Sequence, residues 1–519
     1  MPGGVRWLSG RAEVQRAVDG WRAGAIPGDV LRDNHRRRLA RIAESGAGDL
    51  MVKHFRVGSG HHAIRETWKA RLGWSPAARE YRALEALWAQ GVAVPEPLAL
   101  GELPEGDRVV VMGFLPGVPL EEILTTPQRA RAASLTALGA QVHQLHQAGY
   151  VHRDLHGDNL VFSANGPILL DLQRARQTRS ARARHQDLGD LDYSLWGRAS
   201  LADRLRIRCA ALDIRRPFSA ADRDSLRAVG RAARRRAFAH GRSRTRRALR
   251  PGRLYARLRL DAERGLRVRD VPEDAIAAAL AAHREALAAG DRRVLEADER
   301  SRITAVRAGE RPVIVKEVLP RGLGRMLADA LRGSPARRAW LGGHGLLARG
   351  VGSARPLAFV ERRRAGTPLH SLLVLERLEG PDALEAARTR GEATLEALVD
   401  LLDALHRRQV DHGDLKATNV FVGGEASLVP RLIDLERVRF PRRLSDERRL
   451  ACLAQLNASL PDEIPSRLRR RVLARYLAIH PFEAGKEVAL ANLVEQSLAR
   501  RHRWTGADCK CAGLSSARR

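Results

Sequence analysis

The sequence predicts an α+β chain built from two tandem copies of one unit, each a small β-rich lobe followed by a mainly helical lobe. Three observations carry that prediction. Six sequence landmarks recur in the same order at offsets of 259 to 263 residues, and self-similarity at a fixed period marks duplicated structure. Each copy starts with a short β-rich run that holds a lysine, although the chain has 85 arginines and only six lysines. Each copy then sets His-x-Asp-Leu-x-x-x-Asn directly after a long apolar-periodic segment. A chain of 519 residues also exceeds what one compact core holds.

The elements follow in order. GDLMVKHF (48–55) and RPVIVKEV (311–318) read as the lysine strands. SPAAREYRALEALWAQG has apolar residues at helical spacing and a Ser-Pro start, and SPARRAWLGG enters the second copy in the same way. VAVPEPLALGE (92–102) with VVVMGFLPG (109–117) reads as a strand pair, matched by VGSARPLAFVE (351–361) with LLVLERLEG (372–380). Long helices follow at AASLTALGAQVHQLHQAG and EATLEALVDLLDALHRRQ. Next come the loops VHRDLHGDNLVF (151–162) and VDHGDLKATNVFV (410–422), then ILLDLQ (168–173) and LIDLER (432–437), and then mostly helices.

This reading gives an N-terminal extension at 1–27, a first domain at 28–245, a basic linker at 246–270 around a Pro-Gly breaker, and a second domain at 271–500. The Ala-rich stretch PEDAIAAALAAHREALAAG (272–290) should open the second domain as a helix. The remaining 501–519 lacks periodicity and reads as a disordered tail; its Cys509-Lys510-Cys511 is too little for a metal site. Four cysteines in 519 residues form no disulfide framework and point to a reducing compartment. No apolar stretch reads as a signal peptide or a spanning helix.

Lys+Arg exceed Asp+Glu by 91 to 60, a net charge of +31. That balance implies polyanionic partners, with part of it owed to an arginine-rich coding bias. Charge alone would also suit nucleic acid, but no zinc knuckle or helix-turn-helix signal accompanies it.

The chemistry-bearing residues come in a fixed order. In the first copy they are Lys53, Asp154, Asn159 and Asp171; in the second they are Lys316, Asp414, Asn419 and Asp434. A cation for nucleotide phosphates, oxygen ligands for a divalent metal and a carboxylate for an attacking hydroxyl are the parts that phosphoryl transfer from ATP requires. On the helix after the lysine strand, Glu80 is placed to pair with Lys53. The aligned residue in the second copy is Ala339, and Asp329 is the nearest carboxylate, one helix earlier. Lys316 should therefore be less well placed than Lys53.

His152-Arg153-Asp154-Leu155 through Asn159 fits the catalytic loop of the protein-kinase-like fold, which the chain resembles over 28–500. The resemblance implies ATP and Mg²⁺ as cofactors. Asp154 and Asp414 would be the catalytic carboxylates, and Lys53, Glu80 and Lys316 the ATP-binding residues. Asn159, Asp171, Asn419 and Asp434 would hold metal, with His152, His412, Lys416 and His156 supporting the catalytic loops. Asp-Leu-Gln and Asp-Leu-Glu stand where Asp-Phe-Gly is usual, and neither copy has an Ala-Pro-Glu segment for docking a peptide. Arg174, Arg176 and Arg437 lie where an acceptor would bind, and guanidinium forks suit phosphate and carboxylate.

These features, with the Ser-Pro-Ala-Arg helix entry and the segment Val94–Ala99, resemble the bacterial lipopolysaccharide-core kinases that phosphorylate Kdo or heptose. The resemblance implies an anionic glycolipid substrate, a cytoplasmic location and peripheral contact with the inner-membrane surface. The alternatives are a Ser/Thr protein kinase and a tandem kinase whose second domain is a regulatory pseudokinase.

Overall fold

The computed structural model describes residues 4–46, 48–57, 75–299, 301–319, 322–364, 366–423 and 428–501. All but the first residue of the predicted tail lies outside this set. The chain forms two compact units, Met1–Arg236 and Ala237–Arg519, and the division falls inside the helix Ala220–Arg247. Among the described residues no helix is long and apolar enough to cross a membrane.

The first unit opens on an antiparallel sheet of β1 (Arg6–Gly10), β2 (Asp29–Asn34), β3 (Arg37–Ser45), β4 (Gly48–Phe55), β5 (Pro97–Glu102) and β6 (Arg108–Gly113), in the order β1-β5-β6-β4-β3-β2. Strand side chains alternate between the two faces of a sheet. In β4, Leu50 and Val52 therefore join a cluster with Val14 and Val18 of the helix Ala12–Arg22. Met51, Lys53 and Phe55 turn to the opposite face, toward the helical lobe. The stretch 1–27, expected as an extension, thus supplies an edge strand and a covering helix. Its helix was hidden because only three of its eleven residues are buried.

The helix Pro76–Trp88 crosses the Lys53 face, with Ser75 Oγ accepting from Ala78 N as its cap. The helical lobe centres on Gln128–Gln147, which packs on Leu201–Ala211. A Cβ at Gly139 would stand 2.5 Å from Ala210 Cβ and from Ile207 O, so the helices meet at a distance only glycine allows. The short strands β7 (Val118–Pro119), β8 (Tyr150–Val151), β9 (Leu160–Ser163), β10 (Gly166–Leu169) and β11 (Arg176–Gln177) frame the loop Val151–Phe162.

The second unit repeats this plan with a larger sheet. Its strands are β12 (Tyr255–Leu260), β13 (Glu263–Val268), β14 (Val294–Ala297), β15 (Ser301–Ala308), β16 (Arg311–Val318), β17 (Pro356–Arg364) and β18 (Thr367–Glu376), in the order β12-β13-β17-β18-β16-β15-β14. The expected linker 246–270 is instead the β12–β13 hairpin, and the unit does not open on the Ala-rich helix Glu273–Ala289. YARLRL alternates correctly: Ala256 and Leu258 are buried while Arg257 and Arg259 are exposed. The arginines and the neighbouring Pro-Gly made a period-2 strand read as a charged connector. Helices Pro335–Leu347 and Ala383–Arg407 and the hairpin of β19 (Val420–Gly423) with β20 (Val429–Leu432) correspond to those of the first unit.

Candidate active site

In the first unit, Lys53 of β4 faces inward beside β3 and β6, opposite Leu39 and Val110. Its Nζ lies 2.7 Å from Glu80 Oε1 and 2.6 Å from Asp171 Oδ1. Glu80 is 1% exposed, so its carboxylate has almost no water to stabilise it. Burial pushes its pKa up against the pull of Lys53. Burial also pushes Asp171 upward, but Lys53 and Arg37 together outweigh it and hold that carboxyl below its usual range. Asp171 has φ 58°, a left-handed conformation that turns its side chain to the lysine, and Arg37 also bonds Gln173.

The loop Val151–Phe162 brings the remaining groups to the same place. His152 Nε2 bonds Leu170 O at 2.8 Å, tying the loop to the residue before Asp171. Asn159 Nδ2 donates to Asp154 O at 2.9 Å. Asp187, from the helix Ala181–Ser194 and only 2% exposed, accepts from both His152 N and Arg153 N. Those bonds hold Arg153 at φ 63° and set the turn that presents Asp154. The Asp154 carboxylate lies 3.6 Å from Arg174 and 3.9 Å from Arg236. Glu80, Asp154 and Asp171, with Lys53 and Asn159, surround a cavity of about 590 Å³, whose wall includes Met112, Phe114, His156 and Arg174. Arg176 is exposed on β11 and stands outside that wall.

The second unit rebuilds the core of this arrangement. Lys316 Nζ lies 2.8 Å from Asp434 Oδ1, Asp434 has φ 54°, and Asn419 Nδ2 donates to Asp414 O at 2.9 Å. His412 Nε2 bonds Ile433 O at 3.1 Å, and burial pushes its pKa down, which favours the neutral ring. Desolvation likewise acts against the charges of Lys316 and Asp434, yet each partner overrides it, raising the lysine and lowering the aspartate. Lys416 stands 3.3 Å from Asp414, a charge that arginines supply in the first unit.

The differences are equally clear. Ala339 occupies the same fifth position of its helix that Glu80 occupies, and it is buried. Asp329 does not substitute, because it pairs with Arg338 at 2.6 Å. The Lys316 side chain is 24% exposed against 10% for Lys53. Arg437 lies in a separate, arginine-lined cavity. Sequence reasoning missed Arg37, Gln173, Asp187 and Arg236. Of these only Asp187 left a trace, as one of three acidic residues within six positions of a segment that otherwise reads as core.

A family model for the lipopolysaccharide kinase (Kdo/WaaP) family matches residues 22–229 and 336–476. Among curated proteins, the lipopolysaccharide core heptose(I) kinase WaaP of Pseudomonas aeruginosa is 29% identical over 222 residues, covering 38% of this chain and 82% of that protein. A probable casein kinase I homolog of Encephalitozoon cuniculi is 29% identical over 203 residues, covering 37% of this chain and 62% of its own length. Among solved structures, WaaP in complex with acyl carrier protein is similar at 24% identity and a TM-score of 0.34, covering 44% of this chain and 97% of that one. With the family model matched over more than half its length, and a lysine, two aspartates and an asparagine gathered in each unit, the chain belongs to the lipopolysaccharide kinase (Kdo/WaaP) family.

Proposed function

We propose that the first unit transfers the γ-phosphate of ATP to a sugar hydroxyl of the lipopolysaccharide inner core, on Kdo or heptose. One observation carries the assignment of roles: Glu80 and Asp171 hold Lys53 between them at the wall of the cavity that also receives Asp154. Lys53, fixed by Glu80, would bind the α- and β-phosphates, and Asp154 would orient the acceptor hydroxyl and take its proton. Asn159 spends its amide on Asp154 O and keeps a carbonyl oxygen, which with the Asp171 carboxylate is a donor set of the hard-oxygen kind that suits Mg²⁺. Bound there, the ion would neutralise charge on the phosphates. His152 holds the loop, and His156, partly exposed in the same wall, faces the acceptor side.

Arg174 and Arg236 support an anionic acceptor. Both guanidiniums lie within 4 Å of Asp154, where an incoming phosphate or carboxylate could share them. In the second unit Lys316, Asp414, Lys416, Asn419 and Asp434 would have the corresponding roles, weakened by Ala339. A peripheral position at an anionic membrane surface fits the charge of +31.

The test offers purified protein Mg²⁺ and ATP with inner-core oligosaccharide and, separately, a Ser/Thr peptide, and reads phosphate by mass spectrometry. Phosphate on the sugar is the expected result. Transfer to peptide alone would overturn the glycan assignment in favour of a protein kinase.

A further inference from the structure

The largest cavity described in the second unit is not its lysine–aspartate cleft. It measures about 1320 Å³, and its wall includes neither Lys316, Asp414, Asn419 nor Asp434. Five stretches of chain supply most of its wall: the end of the helix Ala220–Arg247, the end of Gly322–Arg332, one face of Pro335–Leu347, the turn around Asp411 and the turn Glu436–Arg442. Nine arginines and three carboxylates line it, leaving a net charge of +6.

The arginines fall into two groups. Arg338, Arg349 and Arg448 form the fixed wall. Arg338 bonds Asp329 and Gly333 O at 2.6 Å each, Arg349 bonds Gly345 O at 2.8 Å with its guanidinium 3.8 Å from the centre of the Phe440 ring, and Arg448 lies 3.9 Å from Asp411. Arg242, Arg246, Arg332, Arg437, Arg439 and Arg442 are exposed at the cavity and form no ion pair among the described residues. A coding bias toward arginine scatters guanidiniums over a surface. It does not gather six unpaired ones from three stretches into one concavity where two of the three carboxylates, Asp329 and Asp411, already have partners. Like charges so placed repel one another until an anion enters.

We infer that this cavity is a second anion-binding site, which takes a ligand bearing two or more phosphate groups, independently of the nucleotide cleft. Unpaired guanidinium forks match phosphate oxygens two at a time, and the volume exceeds what a single phosphate fills. Phe238, Leu341, Val438 and Phe440 add an apolar part that a sugar face or a linker could cover. The chemistry is shared by a diphosphorylated glycolipid headgroup and a soluble polyphosphate. The inference does not rest on the assignment of the first unit: a chain that failed to phosphorylate sugar could still bind here.

The test uses the full chain carrying Lys53→Met and Lys316→Met, so that both nucleotide clefts are weakened. Binding of inorganic tripolyphosphate and of diphosphoryl lipid A in mixed micelles is titrated separately. Each titration is repeated after adding Arg246→Glu with Arg332→Glu, and after adding Arg257→Glu with Arg259→Glu as an equal charge change on the exposed face of β12. The cavity pair should weaken binding by about tenfold or more, since charge-assisted hydrogen bonds to phosphate are lost, and the β12 pair by much less. A selective loss for either probe supports the site and names its source; a loss for both supports the shared phosphate chemistry. No binding of either probe, or equal weakening by the two charge changes, would overturn it.

Discussion

At the scale of single residues, Lys53 and Lys316 show how one substitution grades a site. Both lysines reach the aspartate of the following turn, at 2.6 and 2.8 Å. Only Lys53 has a second carboxylate, and that carboxylate is almost wholly buried, so the lysine has one place to go. Removing it with Glu80→Ala should leave the fold intact and lower kcat/KM for phosphate transfer roughly a hundredfold, about 2.7 kcal/mol at 1.36 kcal/mol per decade. A steady-state assay with varied ATP checks this, and an effect below about threefold would remove Glu80 from the site. The quartet of lysine, aspartate, asparagine and aspartate was legible because lysine is so rare in this chain that two at matching positions stand out. Arg37 was not legible. Among 85 arginines, nothing marks the one that reaches Asp171 across 134 residues of sequence.

At the scale of elements, the two units anchor the same loop in different ways. In the first, Asp187 receives the backbone N–H groups of His152 and Arg153, and His146 lies 3.4 Å away. Counting from the helix caps Ser180 and Ser445, the residue corresponding to Asp187 is Cys452, whose thiol burial pushes up to about 12. The carboxylate reappears on the loop itself. Asp411, aligned with Val151, accepts from Gly413 N at 3.0 Å, and His406, aligned with His146, bonds Tyr476 instead at 2.7 Å. The anchor has moved from a helix to the strand that it holds. Asp187→Cys in the first unit should therefore strand two N–H groups of the loop, one of them buried, and cost about 2–4 kcal/mol, with loss of activity. Adding Val151→Asp should recover part of both, by thermal melting and by turnover. A double variant no better than the single one would show that the exchange is not compensatory. Nothing in the sequence marks this relation, since each partner is ordinary on its own and they meet only after the helix folds back. The β12–β13 hairpin was missed for the opposite reason: its alternation was present, but charge composition outweighed it.

The sheet of the second unit also carries a pH signature. His370 sits among Glu317 and Glu263, whose bonds raise its pKa to about 9. A histidine whose folded pKa is raised above its unfolded value of about 6.5 contributes stability fully below 6.5 and loses it as pH climbs through 9. His344 and His406 are pushed down to about 3 by burial, so their contribution is present above about 6.5 and falls away as the solution is acidified. Together they place the stability maximum of this unit near pH 6.5, with a loss of up to roughly 3 kcal/mol toward pH 9 from His370. Urea melts of the full chain followed by a probe in the second unit test this, and His370→Gln should flatten the alkaline limb. A limb unchanged by that substitution would discard the assignment.

At the scale of the whole molecule, the duplication and the family it belongs to were readable early, because a repeat of six landmarks does not depend on locating any boundary. What distinguishes the copies emerges only from packing. The first unit holds its lysine with two carboxylates, ties its loop to a helix through Asp187, and sets Arg174 and Arg236 beside Asp154. The second retains the four core residues but leaves Lys316 with one partner, and the wall of its large cavity includes none of those four. Uneven turnover is what that uneven support predicts. Removing a catalytic carboxylate costs the unit that carries it most of its rate, so total activity should track whichever unit does most of the work. Asp154→Ala should lower phosphate transfer to core oligosaccharide by about a thousandfold, whereas Asp414→Ala should lower it by less than about tenfold. Equal losses would mean that the two sites act on one another's product or must both be competent. A larger loss from Asp414→Ala would reverse the assignment and make the second unit, despite Ala339, the principal catalyst.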